Sequence, residues 1–155
     1  MNGNEFFIDT NIFARFFVRD SEESFQECRE LFACMKTGDC AAVTSSVVIA
    51  EIHWLLRSYY KISKADITAF VDRLLSMPQL RIDNRDNVIN ANTMFRDSSI
   101  KFTDALIASH PKIQDGSMAV ISYDKDFDKL GVKRVEPAAL LKQLKKGTKK
   151  RSASK

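Results

Sequence analysis

The chain has 155 residues, of which 45% are hydrophobic, so it is long enough to form one soluble globular domain with a sizeable core. Apolar runs stay well below the ~20 residues of a membrane-spanning helix, and the first one contains Asp9 and Arg15, unlike a secretory signal. The sequence therefore excludes an integral membrane protein and predicts a cytoplasmic one.

The net charge of +4 is unevenly distributed along the chain. Residues 142–155 contain seven basic side chains and no acidic one, whereas residues 1–141 contain 17 basic and 20 acidic side chains. The pI of about 9.0 thus belongs to the tail, and it is no argument for a nucleic-acid-binding body. The composition of the tail is equally compatible with two roles. It could bind RNA phosphates, or it could be solvated and have no function in binding.

Short apolar segments separated by turn residues predict strands. We expect strands at residues 5–9, 40–44, 80–82, 118–122 and 132–135. Between them, apolar periodicity and capping residues predict helices at 12–18, 21–36, 45–60, 63–77, 86–95 and 103–113, with a final helix from Pro137.

Strands that alternate with helices indicate an α/β fold, with a parallel sheet covered by helices on both faces. We expect one domain over residues 1–141 and a flexible, basic extension over residues 142–155. The three cysteines, Cys28, Cys34 and Cys40, form no CxxC pair and are expected to be free thiols.

Four acidic residues stand beside or inside apolar segments, and these are Asp9, Glu51, Asp104 and Asp124. A carboxylate next to core residues is costly to desolvate unless it is paired or binds a cation. Asp9 ends the first predicted strand and Asp124 lies just beyond a later one, where ligands of parallel sheets collect, and Glu51 borders the apolar stripe of its helix. Converging carboxylates with oxygen-only ligation favour Mg²⁺ or Mn²⁺, although each acid alone also has an ordinary structural explanation.

Four segments that contain these acids, in this order, resemble the PIN-domain family, and in particular VapC-type toxins of toxin–antitoxin pairs. The segments are FFIDTNI (6–12), TSSVVIAEI (44–52), FTDALIA (102–108) and ISYDKDF (121–127). The resemblance implies a PIN-like three-layer α/β/α fold whose central parallel sheet has four or five strands. It also implies a Mg²⁺- or Mn²⁺-dependent endoribonuclease that acts on an RNA substrate and is blocked by an antitoxin protein.

The same resemblance assigns roles to individual residues. It implies that Asp9, Glu51, Asp104 and Asp124 form the acidic, metal-binding centre, with Asp9 and Asp104 as the principal ligands. Asn11 and Ser122 match supporting polar positions, and Ser122 replaces the threonine more usual in relatives. Asp126 and Asp128 lie close to Asp124 in the sequence, and either of them is an alternative for its role.

Two other functions stay open at this stage. Asp9 after a strand would suit a phosphatase with an aspartate nucleophile, but the second acid of the haloacid-dehalogenase type is replaced by Asn11. A catalytically silent binding module with the same fold is the other alternative.

The remaining aromatic and histidine residues have ordinary explanations beside functional ones. His53 and His110 are expected to be packing or surface residues rather than catalytic bases. Trp54, Tyr59 and Tyr60 suit either core packing or a partner surface, including that of a homodimer.

Overall fold

A computed structural model describes residues 5–152, with side chains described from 5 to 145. The described strands are β1 (Glu5–Phe7), β2 (Ala41–Thr44), β3 (Leu80–Ile82), β4 (Val120–Ile121) and β5 (Arg134–Val135). The first three form a parallel sheet in the order β1-β2-β3, and β4 pairs with β5 in a separate parallel sheet. The α/β class and the parallel pairing are therefore as predicted.

The prediction of one continuous sheet of four or five strands is wrong, because the five described strands form two separate sheets. Between the described strands no ladder joins β1 to β4, and Phe6 and Phe7 on β1 remain 51% and 60% exposed. Strand β4 has only two residues and lies between two hydrogen-bonded turns. The Asp115 carboxylate accepts a hydrogen bond from the Ser117 amide on one side, and the Ser122 hydroxyl accepts one from the Asp124 amide on the other.

Helices make up most of the described chain. They are α1 (Thr10–Val18), α2 (Glu22–Thr37), α3 (Ser46–Trp54), α4 (Lys64–Leu75), α5 (Arg85–Asp97), α6 (Phe102–Ala108), α7 (Pro111–Gln114), α8 (Asp126–Lys129) and α9 (Pro137–Ser152). The predicted serine caps are present, since Ser21, Ser45 and Ser63 each accept a hydrogen bond from the backbone amide three residues ahead.

Three local features differ from the predicted helices. The helix expected over residues 103–113 is divided into α6 and α7, because Pro111 has no amide hydrogen and disfavours helical backbone at His110, which becomes the N-cap of α7. The helix expected to end at Tyr60 changes to a π-helical turn over Leu55–Tyr59, where the Tyr60 amide donates to the Leu55 carbonyl. The short helix α8 was not predicted.

Helix α9 continues through residues 142–152, inside the segment predicted as a flexible extension. That flexibility stays a prediction, as does RNA binding by the tail, because most of its basic side chains lie outside the described residues. None of the described helices has the length and apolarity that a membrane span requires.

The main core lies between the three-stranded sheet and the surrounding helices. Helix α3 and the π-helical turn run through its centre, with Ile49, Ile52 and Leu56 fully buried, and α4 contributes Ile67 and Val71. The cysteines are free, as predicted. This packing places the N-terminus of α6 beside α3, where two of the predicted acids lie on neighbouring helices.

Candidate metal centre

Three carboxylates meet at the carboxyl end of β4. Asp104 lies in the first turn of α6, Asp124 lies in the loop after β4, and Asp126 begins α8. Each offers an oxygen atom, and the three oxygens lie within 4.8 Å of one another. The structure thus brings together two of the four predicted acids, Asp104 and Asp124, with Asp126 as a third member.

The loop that carries two of these acids is held by its own hydrogen bonds. The Ser122 hydroxyl accepts from the Asp124 amide at 2.9 Å, and Asp124 Oδ1 accepts from the Asp126 amide at 2.9 Å. Lys129 Nζ lies 2.6 Å from Asp126 Oδ1 and balances part of the negative charge. Ser122, predicted as a supporting residue, therefore shapes the turn that presents Asp124.

Asp128 is engaged elsewhere. Its two carboxylate oxygens accept hydrogen bonds from Arg134 Nε at 2.9 Å and Arg134 Nη2 at 3.1 Å. The Arg134 guanidinium lowers the pKa of the Asp128 carboxyl by hydrogen bonding and by its charge. Of the two alternatives that the sequence left open, Asp126 joins the cluster and Asp128 forms an ion pair outside it.

Asp104 has the least favourable environment for a negative charge. Its Oδ2 atom is buried and has no hydrogen-bond partner among the described residues. Burial raises the pKa of the Asp104 carboxyl, the charges of Asp124 and Asp126 raise it further, and Lys101 opposes them. A divalent cation would supply both the missing partner and the missing positive charge, so these three residues fit a Mg²⁺ or Mn²⁺ ion.

The other two predicted acids lie outside the group of three. Asp9 is exposed and forms the N-cap of α1, directly after the end of β1. Glu51 is exposed on α3, and its Oε2 accepts a hydrogen bond of 2.5 Å from the hydroxyl of Thr10, the residue next to Asp9. The side chain of Thr10 thus ties Glu51 to the N-terminus of α1.

A buried threonine fixes the position of Asp9. Thr44, at the end of β2, is fully buried and donates its hydroxyl hydrogen to the carbonyl of Ile8 at 3.0 Å. Thr10 and Thr44 were not predicted as functional residues, although both belong to the segments that carry the resemblance. Nothing in the sequence indicated these contacts, because Glu51 lies 41 residues from Thr10 and Ile8 lies 36 residues from Thr44. Asn11, predicted as a supporting residue, is exposed in the first turn of α1.

An aromatic contact between α3 and α6 joins the two groups of acids. The ring of His53, two residues after Glu51, stacks on the ring of Phe102, two residues before Asp104. Their centroids are 3.7 Å apart with an interplanar angle of 8°. Glu51 and Asp104 therefore lie on two helices, α3 and α6, that are in direct contact. Asp9 and Glu51 nevertheless lie outside the group formed by Asp104, Asp124 and Asp126.

His53 is a packing residue, in agreement with the sequence interpretation. It is 2% exposed, and burial lowers its pKa to about 3. Neither ring nitrogen has a hydrogen bond of normal geometry. The nearby Asn92 side chain favours the protonated ring and so offsets a small part of the lowering of the His53 pKa. Because His53 is uncharged at neutral pH and enclosed by Phe95 and Phe102, it is not placed to act as a catalytic base.

Comparison with known proteins agrees with this geometry. No curated protein matches the chain. The family model for the PIN domain matches residues 6–133, a stretch that contains most of β1, the Thr10–Glu51 contact and the three clustered carboxylates. PIN domains are typically metal-dependent nucleases. Since the match covers most of the chain, the protein belongs to the PIN domain family.

Proposed function

We propose that the protein is a Mg²⁺- or Mn²⁺-dependent endoribonuclease that hydrolyses RNA phosphodiester bonds. The observation that carries the proposal is the buried, unpartnered Oδ2 of Asp104 within a group of three carboxylate oxygens. Burial and like charges raise the pKa of Asp104, so its ionised carboxylate destabilises the folded protein. A bound cation would offset this cost, which is the arrangement expected of a functional site. Together with membership of a family of nucleases, this supports hydrolysis of a phosphate ester.

The proposed ligands are Asp104 and Asp124, with Asp126 beside them, and Asp9 and Glu51 as further members of the acidic centre. A bound Mg²⁺ or Mn²⁺ would supply activation of water and neutralisation of charge on the phosphate. Ser122 orients the loop of Asp124, and Thr10 orients Glu51. Asn11 remains a proposed supporting residue at the start of α1.

We further propose that the enzyme is the toxin of a type II toxin–antitoxin pair. This finer assignment is supported by the resemblance of the four segments to VapC-type toxins. Its antitoxin partner would cover the acidic groove, and the cytoplasmic location and a homodimer stay predictions. The exposure of Trp54 and Tyr59, at 63% and 70%, leaves apolar surface for such contacts.

Cleavage of total cellular RNA by the purified protein tests the proposal, with Mg²⁺, with Mn²⁺ and with EDTA. We expect cleavage that depends on the metal and is lost in Asp9→Asn and Asp104→Asn. Asp128→Asn is the matched control, since the same change is made to an acid that pairs with Arg134 outside the cluster. Cleavage that survives in EDTA or in Asp104→Asn contradicts the assignment.

The same preparation distinguishes the two alternatives. Binding of Mn²⁺ by a folded protein without cleavage of any RNA would favour the silent binding module. An aspartyl-phosphate trapped on Asp9 during turnover would favour the phosphatase.

A further inference from the structure

A cavity opens next to the candidate metal centre, between α3, the π-helical turn and the N-terminus of α6. Its volume is about 110 Å³, several times the ~30 Å³ share of one water molecule in the liquid. Three of the residues that line it, Lys101, Phe102 and Thr103, immediately precede Asp104. A group bound in this cavity would therefore lie beside the segment that carries Asp104.

The inner wall of the cavity is aromatic and contains one polar group without a partner. Phe95 and Phe102 line it together with His53, which is only 2% exposed. Both ring nitrogens of His53 lack a hydrogen bond of normal geometry to a described residue. The carbonyl oxygen of the Asn92 side chain, also unpartnered, can satisfy only one of them, since the two nitrogens lie at different edges of the ring. Both nitrogens are buried, however, so His53 forms part of the aromatic wall and offers no accessible hydrogen-bonding edge.

The mouth of the cavity combines an exposed aromatic ring with positive charge. Trp54, the single tryptophan of the chain, is 63% exposed at this rim. Arg57 and Lys101 also line the cavity, and neither forms a salt bridge with a described residue, although Arg57 Nη1 donates to a backbone carbonyl. The rim thus offers a flat apolar surface beside two cations without a direct salt bridge to a described residue, and the charge of Lys101 also acts on Asp104.

The positive surface continues away from the metal centre. A second, shallower cavity of about 600 Å³ shares Arg57, Phe95 and Lys101 with the first and adds Lys64 and Arg96. Its acidic residue, Asp97, is paired with Arg96 at 2.9 Å. A basic surface here contrasts with the acidic excess of residues 1–141 as a whole, so positive charge that can attract a polyanion is concentrated at these two cavities.

We propose that this cavity is a nucleotide-binding subsite, in which one unstacked base of a single-stranded RNA packs on Trp54 while Arg57 and Lys101 bind the adjoining phosphates. The inference rests on the proposed nuclease function and specifies how its substrate is held. An unpaired base has a flat face that can stack on Trp54, and single-stranded RNA is usually recognised through such splayed bases. A wholly apolar ligand would leave both cations without an anionic partner.

The position of the subsite predicts a role in specificity. Because the cavity adjoins Asp104, the bound base would be at a fixed distance in sequence from the cleaved bond. The subsite would therefore select the base at one position next to the cut, and the second cavity would hold neighbouring phosphates without regard to sequence.

The tryptophan provides a direct test that requires no catalysis. We would titrate the full chain with AMP, CMP, GMP and UMP in EDTA, following Trp54 fluorescence with excitation near its red edge. We expect saturable quenching that differs between the four nucleotides. Lys101→Gln should weaken the apparent affinity about two- to fivefold, as for an exposed ion pair, whereas Lys36→Gln, the same charge change on α2, should leave it unchanged.

The base contact is tested by Trp54→Ala, with nucleotide binding followed by calorimetry because the variant has no tryptophan. We expect the affinity to fall at least about fivefold, the value of one lost stacking contact. If this variant does not fold, Lys101→Gln against Lys36→Gln decides the question. Absence of saturable quenching by all four nucleotides, or equal weakening by the two lysine variants, would overturn the proposal and leave the Trp54 surface to a protein partner.

The result is independent of whether the protein cleaves RNA. Quenching without cleavage in Mg²⁺ or Mn²⁺ would support the subsite and contradict the nuclease function. Cleavage without quenching would support the nuclease function and refute the subsite.

Discussion

Replacement of Asp104 by Asn should change stability in opposite directions without and with metal. In the metal-free protein, Asp104 carries a half-buried charge whose Oδ2 has no partner, and Asp124 and Asp126 repel it. The folded-state pKa is raised, so ionisation of this carboxyl destabilises the folded protein at neutral pH. The substitution Asp104→Asn would remove the charge, and the introduced amide could donate a hydrogen bond to the remaining carboxylates.

The size of the effect follows from the separation of the carboxylates. For two charges 4.8 Å apart, Coulomb's law with an effective dielectric constant between about 80 and 20 gives roughly 1 to 3 kcal/mol per pair. Asp104 takes part in two such pairs, but Asp124 is exposed and Lys129 and Lys101 offset part of the repulsion. We therefore expect the substitution to stabilise the metal-free protein by about 1–2 kcal/mol, which corresponds to a rise in Tm of roughly 2–8 °C.

Addition of metal should reverse the order of the two proteins. A ligand at about 100 times its Kd stabilises the folded state by about 2.7 kcal/mol, and wild type should show a shift of this order. The variant keeps only two of the three clustered carboxylates, so its affinity and its shift should both be much smaller. We therefore expect the order of stability to reverse, with the variant more stable than wild type in EDTA and less stable than wild type in saturating Mn²⁺.

Thermal unfolding followed by circular dichroism, in EDTA and over a series of Mg²⁺ and Mn²⁺ concentrations, measures both effects. Asp128→Asn serves as the control, because it breaks the pair with Arg134 and should lower Tm slightly while leaving the metal-induced shift intact. A variant Asp104→Asn that is less stable than wild type in EDTA, or that retains the full metal shift, would refute the assignment of the repulsive cluster as a cation site.

Two further predictions concern residues behind the acids. His53 has a pKa of about 3 when folded against an ordinary value of 6.5, so its stabilising contribution is present above pH 6.5 and is lost as the pH falls towards 3. Between pH 7 and 4.5, urea unfolding of wild type should lose about 2–3 kcal/mol from this group, and His53→Phe should lack that loss; parallel pH profiles would contradict it. Thr10→Val should reduce RNA cleavage about tenfold, because Glu51 loses a charge-assisted hydrogen bond, while the unfolding free energy changes by about 1 kcal/mol or less. An unchanged cleavage rate would show that Glu51 needs no such support.

Features governed by local chemistry were predictable from sequence. Ser21 and Ser63 cap their helices as expected, and of the two candidates Ser45 and Ser46 it is Ser45 that caps α3, since a cap depends on residues three positions apart. Strand β3 was predicted with its observed bounds, because an apolar pair at residues 80 and 82 alternates with the polar Arg81 after a proline-terminated helix.

Features that depend on distant residues were not predictable in the same way. Membership of Asp126 in the cluster, in preference to Asp128, depends on Arg134, which draws Asp128 away. The π-helical turn has no periodic signature, since one wider turn hardly changes the apolar pattern. The short strand β4 lies between turns, and the apolar pattern of residues 118–122 does not distinguish two paired residues from five or show which strand they pair with.

The division of the sheet bears directly on how the acidic centre is assembled. Asp9 follows β1 and Glu51 is tied to it through Thr10, whereas Asp124 and Asp126 follow β4. In the described part of the chain no backbone ladder joins β1 to β4. Strand pairing therefore does not set the spacing between the two groups of acids. That spacing depends on the packing of α3 against α6, in which His53 stacks on Phe102. Helix packing that includes this aromatic contact, rather than a shared sheet, therefore holds the two groups relative to one another.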